Sequence, residues 1–273
     1  MFSSFMINTW IVATLVAVVA GIVGFFVVIR GASFAAHALP LGAFPGAAAA
    51  SLIGVDPLAG LVAFSVLGVI GIGALGRHGH REIATALCLT MLLGLGALFL
   101  SMTSEYSQAV YALLFGEVLG VSDADLVPVA AISAVVIVAT MILFRPLLLS
   151  SAAPALVPAR GLSARAIEIA FLVILGLASA MALPVVGALL VFSLMLGPAS
   201  AARMMSARPL VALLASVGLA LATVWAAIAL SWLSNWPVGF FVGGSGLFWY
   251  GLGRVCRRFS SSDGVRRLGA GRV

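Results

Sequence analysis

The feature that most constrains this chain is a succession of long apolar runs, separated by short stretches that contain arginine. A run of roughly 17 to 25 apolar residues is long enough to cross a bilayer as an α-helix. Charged residues make up only 8% of the 273 residues, whereas a soluble domain has about 25%. The chain therefore cannot form a water-soluble exterior, and the sequence predicts an all-α polytopic membrane protein. The predicted segments are residues 7–29, 32–54, 57–76, 83–103, 126–144, 167–183, 184–202, 210–233 and 237–253.

The stretch 109–121 is left over between two predicted spans. It is short, contains Glu117 and two glycines, and lies between Glu105 and Asp123, which we assign to the external side. We predict a re-entrant half-helix here, in addition to about eight to nine transmembrane helices. Because arginines mark the cytoplasmic side of a membrane protein, the alternation predicts that the N-terminus lies outside and the C-terminus inside.

Residues 1–253 form one predicted transmembrane domain, and residues 254–273 differ from it in composition. No basic region precedes the first apolar segment, so we expect that segment to be a span and not a cleaved signal. The segment 254–273 is rich in Arg, Ser and Gly, which predicts a disordered cytoplasmic tail with affinity for anionic lipid head groups. The net charge of +6 does not indicate nucleic-acid binding, because the arginines lie dispersed at the ends of apolar segments.

A second polar region, residues 147–166, interrupts the apolar pattern at a point that we assign to the cytoplasm. It contains two prolines, one glycine and two arginines. Residues 154–165 could form a short amphipathic helix that docks a partner, or a simple connecting loop, which the residues alone favour. The sequence contains no Walker A pattern, so the energy for any ATP-driven transport would come from another chain.

Polar groups and helix breakers inside the predicted spans are the candidates for function, because polar groups at membrane depth are costly. The stretch SFAAHALPLGAFPG carries His37, Pro40, Pro45 and Gly46. Proline and glycine predict an interrupted helix, which is tolerated only where protein or water covers it. Such helices border the translocation path of transporters. The same argument applies to Pro198, for which a structural kink is the alternative.

His37 admits two interpretations. Neutral imidazole binds zinc, copper and iron and carries protons, which would make His37 a metal ligand or a proton relay. It could instead bond a carbonyl group or water near the cytoplasmic end of its helix. A single histidine cannot hold a metal, since closed zinc sites use four ligands, and the position one turn later is Leu41. The residues alone favour the second interpretation.

Four stretches together resemble a known family: RGASF followed by LGAFPG, then YALLFGEVLGVSDADL, FRPLLL and VVGALLVFSLMLGPASAARMM. In this order they are similar to the permease subunit of metal-ion ABC importers of the zinc/manganese/iron type, over about residues 10–253. The resemblance implies an ABC importer permease in a prokaryotic cytoplasmic membrane, working as a homodimer on two ABC ATP-binding subunits. A periplasmic or lipid-anchored solute-binding protein would deliver the cargo. ATP would be hydrolysed on the partner subunit, so this chain would not itself be an enzyme.

The resemblance also implies roles for individual residues. A coupling helix would fit a cleft of the ATP-binding subunit and would comprise Pro154, Ala155, Leu156, Val157, Pro158, Ala159, Arg160, Gly161 and Leu162. The substrate pathway would be bordered by His37, Pro40, Leu41, Pro45, Gly46, Glu117 and Pro198.

The second helix departs from the family pattern, which reads Ser-x-x-Gly-Asp-Ala-Leu-Ser-His-Ala-x-x-Pro-Gly in typical members. Here His37 stands at the position of the Asp, and Leu41 stands at the position of the His. Imidazole suits zinc, copper or nickel, whereas manganese prefers oxygen ligands. We therefore expect a divalent metal cargo, zinc first, and no tightly bound cofactor.

Three alternatives stay open from the sequence. The first is an ABC permease for a metal chelate, a haem-like molecule or another small cargo. The second is a secondary transporter that couples to protons through His37 and Glu117. The third is a membrane scaffold that transports nothing.

Overall fold

The computed structural model describes residues 4–76, 81–102 and 123–269. Within these ranges the chain forms α-helices and two 3-10 turns, and no β-strand. Such a fold suits a bilayer, because each helix satisfies its backbone hydrogen bonds internally. The prediction of an all-α protein is confirmed. The helices are α1 (Ser4–Arg30), α2 (Ser33–Leu52), α3 (Pro57–Leu75), α4 (Arg81–Ser101), α5 (Asp123–Ile142), α6 (Phe144–Ala152), α7 (Ala164–Val186), α8 (Ala188–Met205), α9 (Pro209–Ser234) and α10 (Val238–Gly269).

A helix occupies the position of each predicted apolar segment, but not every helix has the composition of a complete span. Among the described residues, α1, α3, α4, α7 and α9 are long and apolar enough to cross a membrane. α5 and α6 count as a sixth span if they are taken together, with a bend of 57° between them. The shorter α8 and the proline-containing α2 do not meet the same criterion. The predicted count of eight to nine spans is therefore not confirmed.

α1 and α7 form the centre of the bundle. In each of them 72% of an 18-residue apolar stretch is buried inside the bundle. α1 packs against α5, α7, α8 and α9. α3 and α4 lie at the periphery, where only 28% and 22% of the corresponding apolar stretches are buried. Their exposed side chains are large and apolar, as at Ile70 and Met91. This is the pattern expected of a helix covered by lipid tails, which are as apolar as leucine.

Small residues bring several helix backbones into direct contact around α8. A Cβ atom on Gly197 of α8 would lie 2.5 Å from the Cα atom of Gly246 in α10. A Cβ atom on Gly24 of α1 would lie 2.9 Å from the carbonyl carbon of Met195 in α8. Neither position has room for a larger residue, and such close approach is what small residues allow in membrane bundles. α8 is therefore packed closely between α1 and α10.

The break between α7 and α8 lies at Gly187, whose φ of 84° is open to glycine and costly for other residues. We predict a boundary at Pro184, but Pro184 lies inside α7 and is exposed. That boundary is therefore wrong by about one turn. The helix continues through Pro184, and the left-handed backbone at Gly187 ends it.

The last helix, α10, continues from Val238 to Gly269. It thus includes residues 254–269 of the polar tail, and the disorder that we expect for this tail stays a prediction. The segment contains no proline, so nothing in its covalent structure ends the helix that precedes it.

Candidate functional site

α2 is the helix that carries the candidate pathway residues, and it is continuous from Ser33 to Leu52. Pro40 and Pro45 lie inside it, so the prediction of an interrupted helix is wrong. A proline inside a helix removes one backbone hydrogen bond and crowds the preceding turn. Contacts with α3, α4, α7 and α8 surround α2 and compensate for that loss, since both prolines are buried.

Pro45 and Gly46 hold α2 between α3 and α4. A Cβ atom on Gly46 would lie 2.6 Å from the carbonyl carbon of Gly60 and 2.9 Å from the Cβ atom of Phe64. On the other side, a Cβ atom on Gly96 would lie 3.0 Å from Cγ of Pro45. These contacts assign both residues a packing role. A role beside the substrate stays a prediction for them, and also for Pro40.

His37 lies on the opposite face of α2 from Gly46, because nine residues make about two and a half turns of helix. Its ring meets the ring of Phe192 in α8 edge to face, with centroids 5.0 Å apart and an interplanar angle of 68°. The side chain is half-buried. Leu41 follows one turn later on the same side of α2 and is also half-buried.

The Nδ1 atom of His37 is buried and has no hydrogen-bond partner among the described residues. A buried polar atom left without a partner costs about 1–3 kcal/mol. The fold therefore gains nothing from this nitrogen. The pathway role of His37 stays a prediction.

A resident metal centre is not formed by the part of the chain that the structure describes. No group of three or more His, Cys, Asp or Glu residues comes together there. His37 alone supplies one imidazole, and closed metal sites need about four ligands. The assignment of His37 as a metal ligand stays a prediction.

Pro198 lies inside α8, which is continuous from Ala188 to Met205. The residue is buried, and its neighbour Gly197 forms the close contact with α10 described above. One turn earlier, Ser193 donates a hydrogen bond to the carbonyl oxygen of Val242 at 3.3 Å. Packing against α10 thus accounts for the small residues around Pro198. Its predicted place beside the substrate path stays a prediction.

Residues 154–162, which we call the docking segment, project from the bundle between α6 and α7. The residues alone favour a connecting loop here over a short amphipathic helix at 154–165, and the resemblance implies a coupling helix at 154–162. The structure has two 3-10 turns, at Pro154–Leu156 and Pro158–Arg160. Each proline begins a new turn because its ring fixes φ and it has no N–H to donate. Gly161, with φ of 68°, ends the second turn.

The docking segment has a single internal anchor. Val157 is fully buried and its carbonyl oxygen accepts a hydrogen bond from the N–H of Leu162 at 3.2 Å. The other eight residues of the segment are exposed, including Leu156 with 54% of its surface accessible. An exposed segment that is held by one buried side chain leaves its other side chains accessible to a partner protein.

One predicted site residue cannot be compared with the structure, and two residues of interest were not predicted from the sequence. Glu117 and the predicted half-helix at 109–121 lie outside the described residues. Sequence reasoning did not identify Phe192 or Arg30 as functional candidates. Phe192 is one of 16 phenylalanines, and Arg30 indicated only the end of a predicted span. A ring contact or a distant hydrogen bond leaves no signal in a sequence.

Comparison with known proteins identifies relatives of this chain in sequence and in fold. The profile of the ABC 3 transport family matches residues 2–242. The manganese import system permease protein ScaB of Streptococcus parasanguinis is 30% identical over 200 residues, which cover 72% of this chain and 71% of that protein. The manganese transport system membrane protein MntC of Listeria monocytogenes is 27% identical over 205 residues, covering 74% of this chain and 73% of that protein. PsaBC from Streptococcus pneumoniae, solved in complex with Fab, superposes with a TM-score of 0.85 at 23% identity, over 96% of each chain.

Proposed function

The chain belongs to the ABC 3 transport family, as a multi-pass membrane permease of the prokaryotic metal-ion ABC importers, and from this we propose that it carries a divalent transition-metal ion into the cell. The observation that carries the proposal is the 30% identity with a manganese import permease. Zinc, which the sequence led us to expect, has no support from these relatives. We therefore place manganese first.

Zinc is kept as the second cargo because of one specific observation. α2 contains no carboxylate, and its polar side chain turned towards α8 is the imidazole of His37. Manganese prefers oxygen ligands and zinc accepts nitrogen. If manganese is the cargo, water, backbone carbonyl groups or residues outside the described ranges supply its oxygen ligands as it passes His37.

Uptake measurements separate the two ions. A strain that lacks the gene is complemented with the wild-type chain, with His37→Ala, or with the double variant His37→Asp/Leu41→His. We expect wild-type cells to take up manganese faster than zinc. The double variant, which restores the Asp/His pair of typical family members, should raise the ratio of manganese to zinc uptake about tenfold, the change produced by 1.4 kcal/mol of differential binding.

The result that contradicts a metal cargo is equally clear. If complementation restores neither manganese nor zinc uptake, the chain moves another cargo, with a metal chelate as the first alternative. Uptake that continues without an ATP-binding subunit and stops when the proton gradient is dissipated would instead identify a proton-coupled transporter.

For the partners, we assign the docking segment to the ATP-binding subunit, which would hydrolyse ATP while this chain remains without enzymatic activity. Two copies of the chain would form the pore, and a solute-binding protein would deliver the ion on the opposite side. Eight exposed residues around one buried anchor, Val157, support the docking assignment. Membrane lipid would cover the exposed apolar faces of α3 and α4.

Docking can be tested with two matched substitutions. Leu156→Asp places a charge on an exposed leucine of the docking segment, and Ala207→Asp places one on an exposed residue that follows α8. We expect Leu156→Asp to abolish co-purification of the ATP-binding subunit, whereas Ala207→Asp retains it. Equal retention by both variants would exclude the docking segment as the contact.

A further inference from the structure

Arg30, the last residue of α1, lies where α1, α6 and α7 meet. Its guanidinium donates a hydrogen bond from Nη1 to Oγ of Ser150 in α6, at 2.5 Å. On its other side, Cζ lies 4.9 Å from the centroid of the Phe171 ring in α7. We call Arg30, Ser150 and Phe171 the arginine junction. It joins the end of the first helix to a segment 120 residues further along the chain.

The hydrogen bond to Ser150 and the ring contact with Phe171 both connect Arg30 to packed parts of the bundle. Ser150 donates in turn to the carbonyl oxygen of Leu147 at 3.0 Å, and the Leu147 side chain is fully buried. Phe171 is buried as well, with 2% of its surface accessible. The guanidinium therefore links three helices through groups that are themselves immobilised by packing.

The docking segment begins four residues after Ser150. Its anchor, Val157, belongs to the same cluster of buried side chains as Leu147 and Phe171. A displacement of the docking segment thus has two routes into the bundle. One is apolar packing under Val157, and the other is the directional hydrogen bond of Ser150 with Arg30.

Arginine is suited to this junction in a way that lysine is not. A hydrogen bond from a charged donor is about twice as strong as one between neutral groups. The planar guanidinium can stack on an aromatic ring while it donates in its own plane. Its charge also lies at the C-terminal end of α1, where the helix dipole favours a cation.

We propose that Arg30 is a positioning residue of the transport cycle, which ties the docking segment to the central helices α1 and α7. When the partner moves the docking segment, the arginine junction passes that movement to α1, and α1 packs against α8, which carries the ring that faces His37. This inference rests on the proposed function of the docking segment. It adds a residue that touches neither the partner nor the cargo.

The first test measures the junction itself and needs no transport. Hydrogen–deuterium exchange is followed in the purified full-length permease over residues 147–163, in the wild type and in Arg30→Met. We expect exchange in the variant to be about tenfold faster, since the segment opens more readily without its charged hydrogen bond. Unchanged exchange would overturn the proposal.

Arg203→Met is the matched control. Arg203 is exposed and donates to the carbonyl oxygen of Ser206 at 3.1 Å, three residues further along its own chain. Its loss removes an arginine without touching the arginine junction, so exchange over 147–163 should stay at the wild-type rate. Ser150→Ala, which deletes one hydroxyl group, tests the same contact should Arg30→Met not fold.

The second test measures coupling in the assembled transporter, reconstituted in liposomes with its ATP-binding subunit and binding protein. The quantity is the number of metal ions transported per ATP hydrolysed. We expect this ratio to fall about tenfold in Arg30→Met, to be partly retained in Arg30→Lys, and to be unchanged in Arg203→Met. A merely structural role would lower the amount of assembled complex and leave the ratio unchanged, which would overturn the proposal. A wild-type complex that transports no metal would refute the proposed function, and the exchange experiment would still decide on the junction.

Discussion

The arginine junction and the surroundings of His37 are two polar regions in one apolar bundle, and they treat their polar atoms in opposite ways. At the junction the guanidinium of Arg30 has an aromatic face and a hydroxyl group as partners. At His37 one face of the ring meets Phe192, while the buried Nδ1 atom has no partner among the described residues. The difference teaches how to read a buried polar group in such a bundle. The contacts of Arg30 hold helices together, whereas we propose His37 as a candidate for contact with cargo.

The largest expected effect concerns the crossing of α2 and α3, on the face of α2 opposite His37. Gly46→Ala would bring a Cβ atom within 2.6 Å of the carbonyl carbon of Gly60, so the helices must separate. We expect the free energy of unfolding in detergent to fall by about 3 kcal/mol, at the upper end of overpacking costs. Gly94→Ala in α4 is the control, because no neighbour lies within 4 Å of its Cβ position.

In that control, alanine replaces glycine inside a helix without a clash, and the free energy of unfolding should rise by about 0.5–1 kcal/mol. Thermal unfolding of the two variants side by side gives the comparison. Equal stability of the two variants would show that α2 and α3 can separate at little cost, and the packing role of Gly46 would then be refuted.

The second expected effect is that substitutions in the two polar regions change the free energy of unfolding in opposite directions. Arg30→Met removes a charged hydrogen bond and should lower the free energy of unfolding by about 1.5–3 kcal/mol. His37→Leu removes a buried atom without a partner and should raise it by about 1 kcal/mol. Chemical denaturation in mixed micelles measures both changes.

The functional readout of these two variants should differ as well. His37→Leu is expected to lose metal uptake although it folds at least as well as the wild type. If His37→Leu destabilised the protein as much as Arg30→Met does, Nδ1 would have a partner that the fold needs. His37 would then belong with Arg30 among the groups that hold the bundle together.

The smallest expected effect concerns the ring that orients His37. Phe192→Leu removes an edge-to-face contact worth about 0.5–1.5 kcal/mol, so the imidazole should sample more orientations. The metal concentration for half-maximal uptake should rise about two- to tenfold, the range that this energy corresponds to. Phe192→Tyr keeps the ring and serves as the control, with uptake close to wild type. If leucine and tyrosine behaved alike, the ring contact would have no part in transport.

The positions of the helices could be predicted because they depend on local composition. A run of apolar residues long enough to cross a bilayer has few alternatives to a helix, and each predicted segment has one. Internal continuity could not be predicted in the same way. Pro40 and Pro45 indicated a break in α2, but α2 stays continuous because helices from distant parts of the chain enclose both prolines.

For the docking segment, too, the position could be predicted from the sequence but the conformation could not. Its place between two helices and its polar composition were evident from the sequence, and the resemblance to metal-ion importers indicated its role. Its conformation was not, since Pro154 and Pro158 divide it into two 3-10 turns. Which residue anchors it could not be read either. Val157 differs from its neighbours only through the buried cluster it enters.

The sequence by itself determined that this protein lies in a membrane, where most of its helices begin and end to within about a turn, and to which family of permeases it belongs. These properties follow from hydropathy and from short motifs, which act over a few neighbouring residues. Only the tertiary structure decided which polar groups are satisfied. The partner of Arg30 comes from 120 residues away, and the ring beside His37 comes from α8. Hydrogen bonds and ring contacts depend on which helices pack together, and that is a property of the whole bundle.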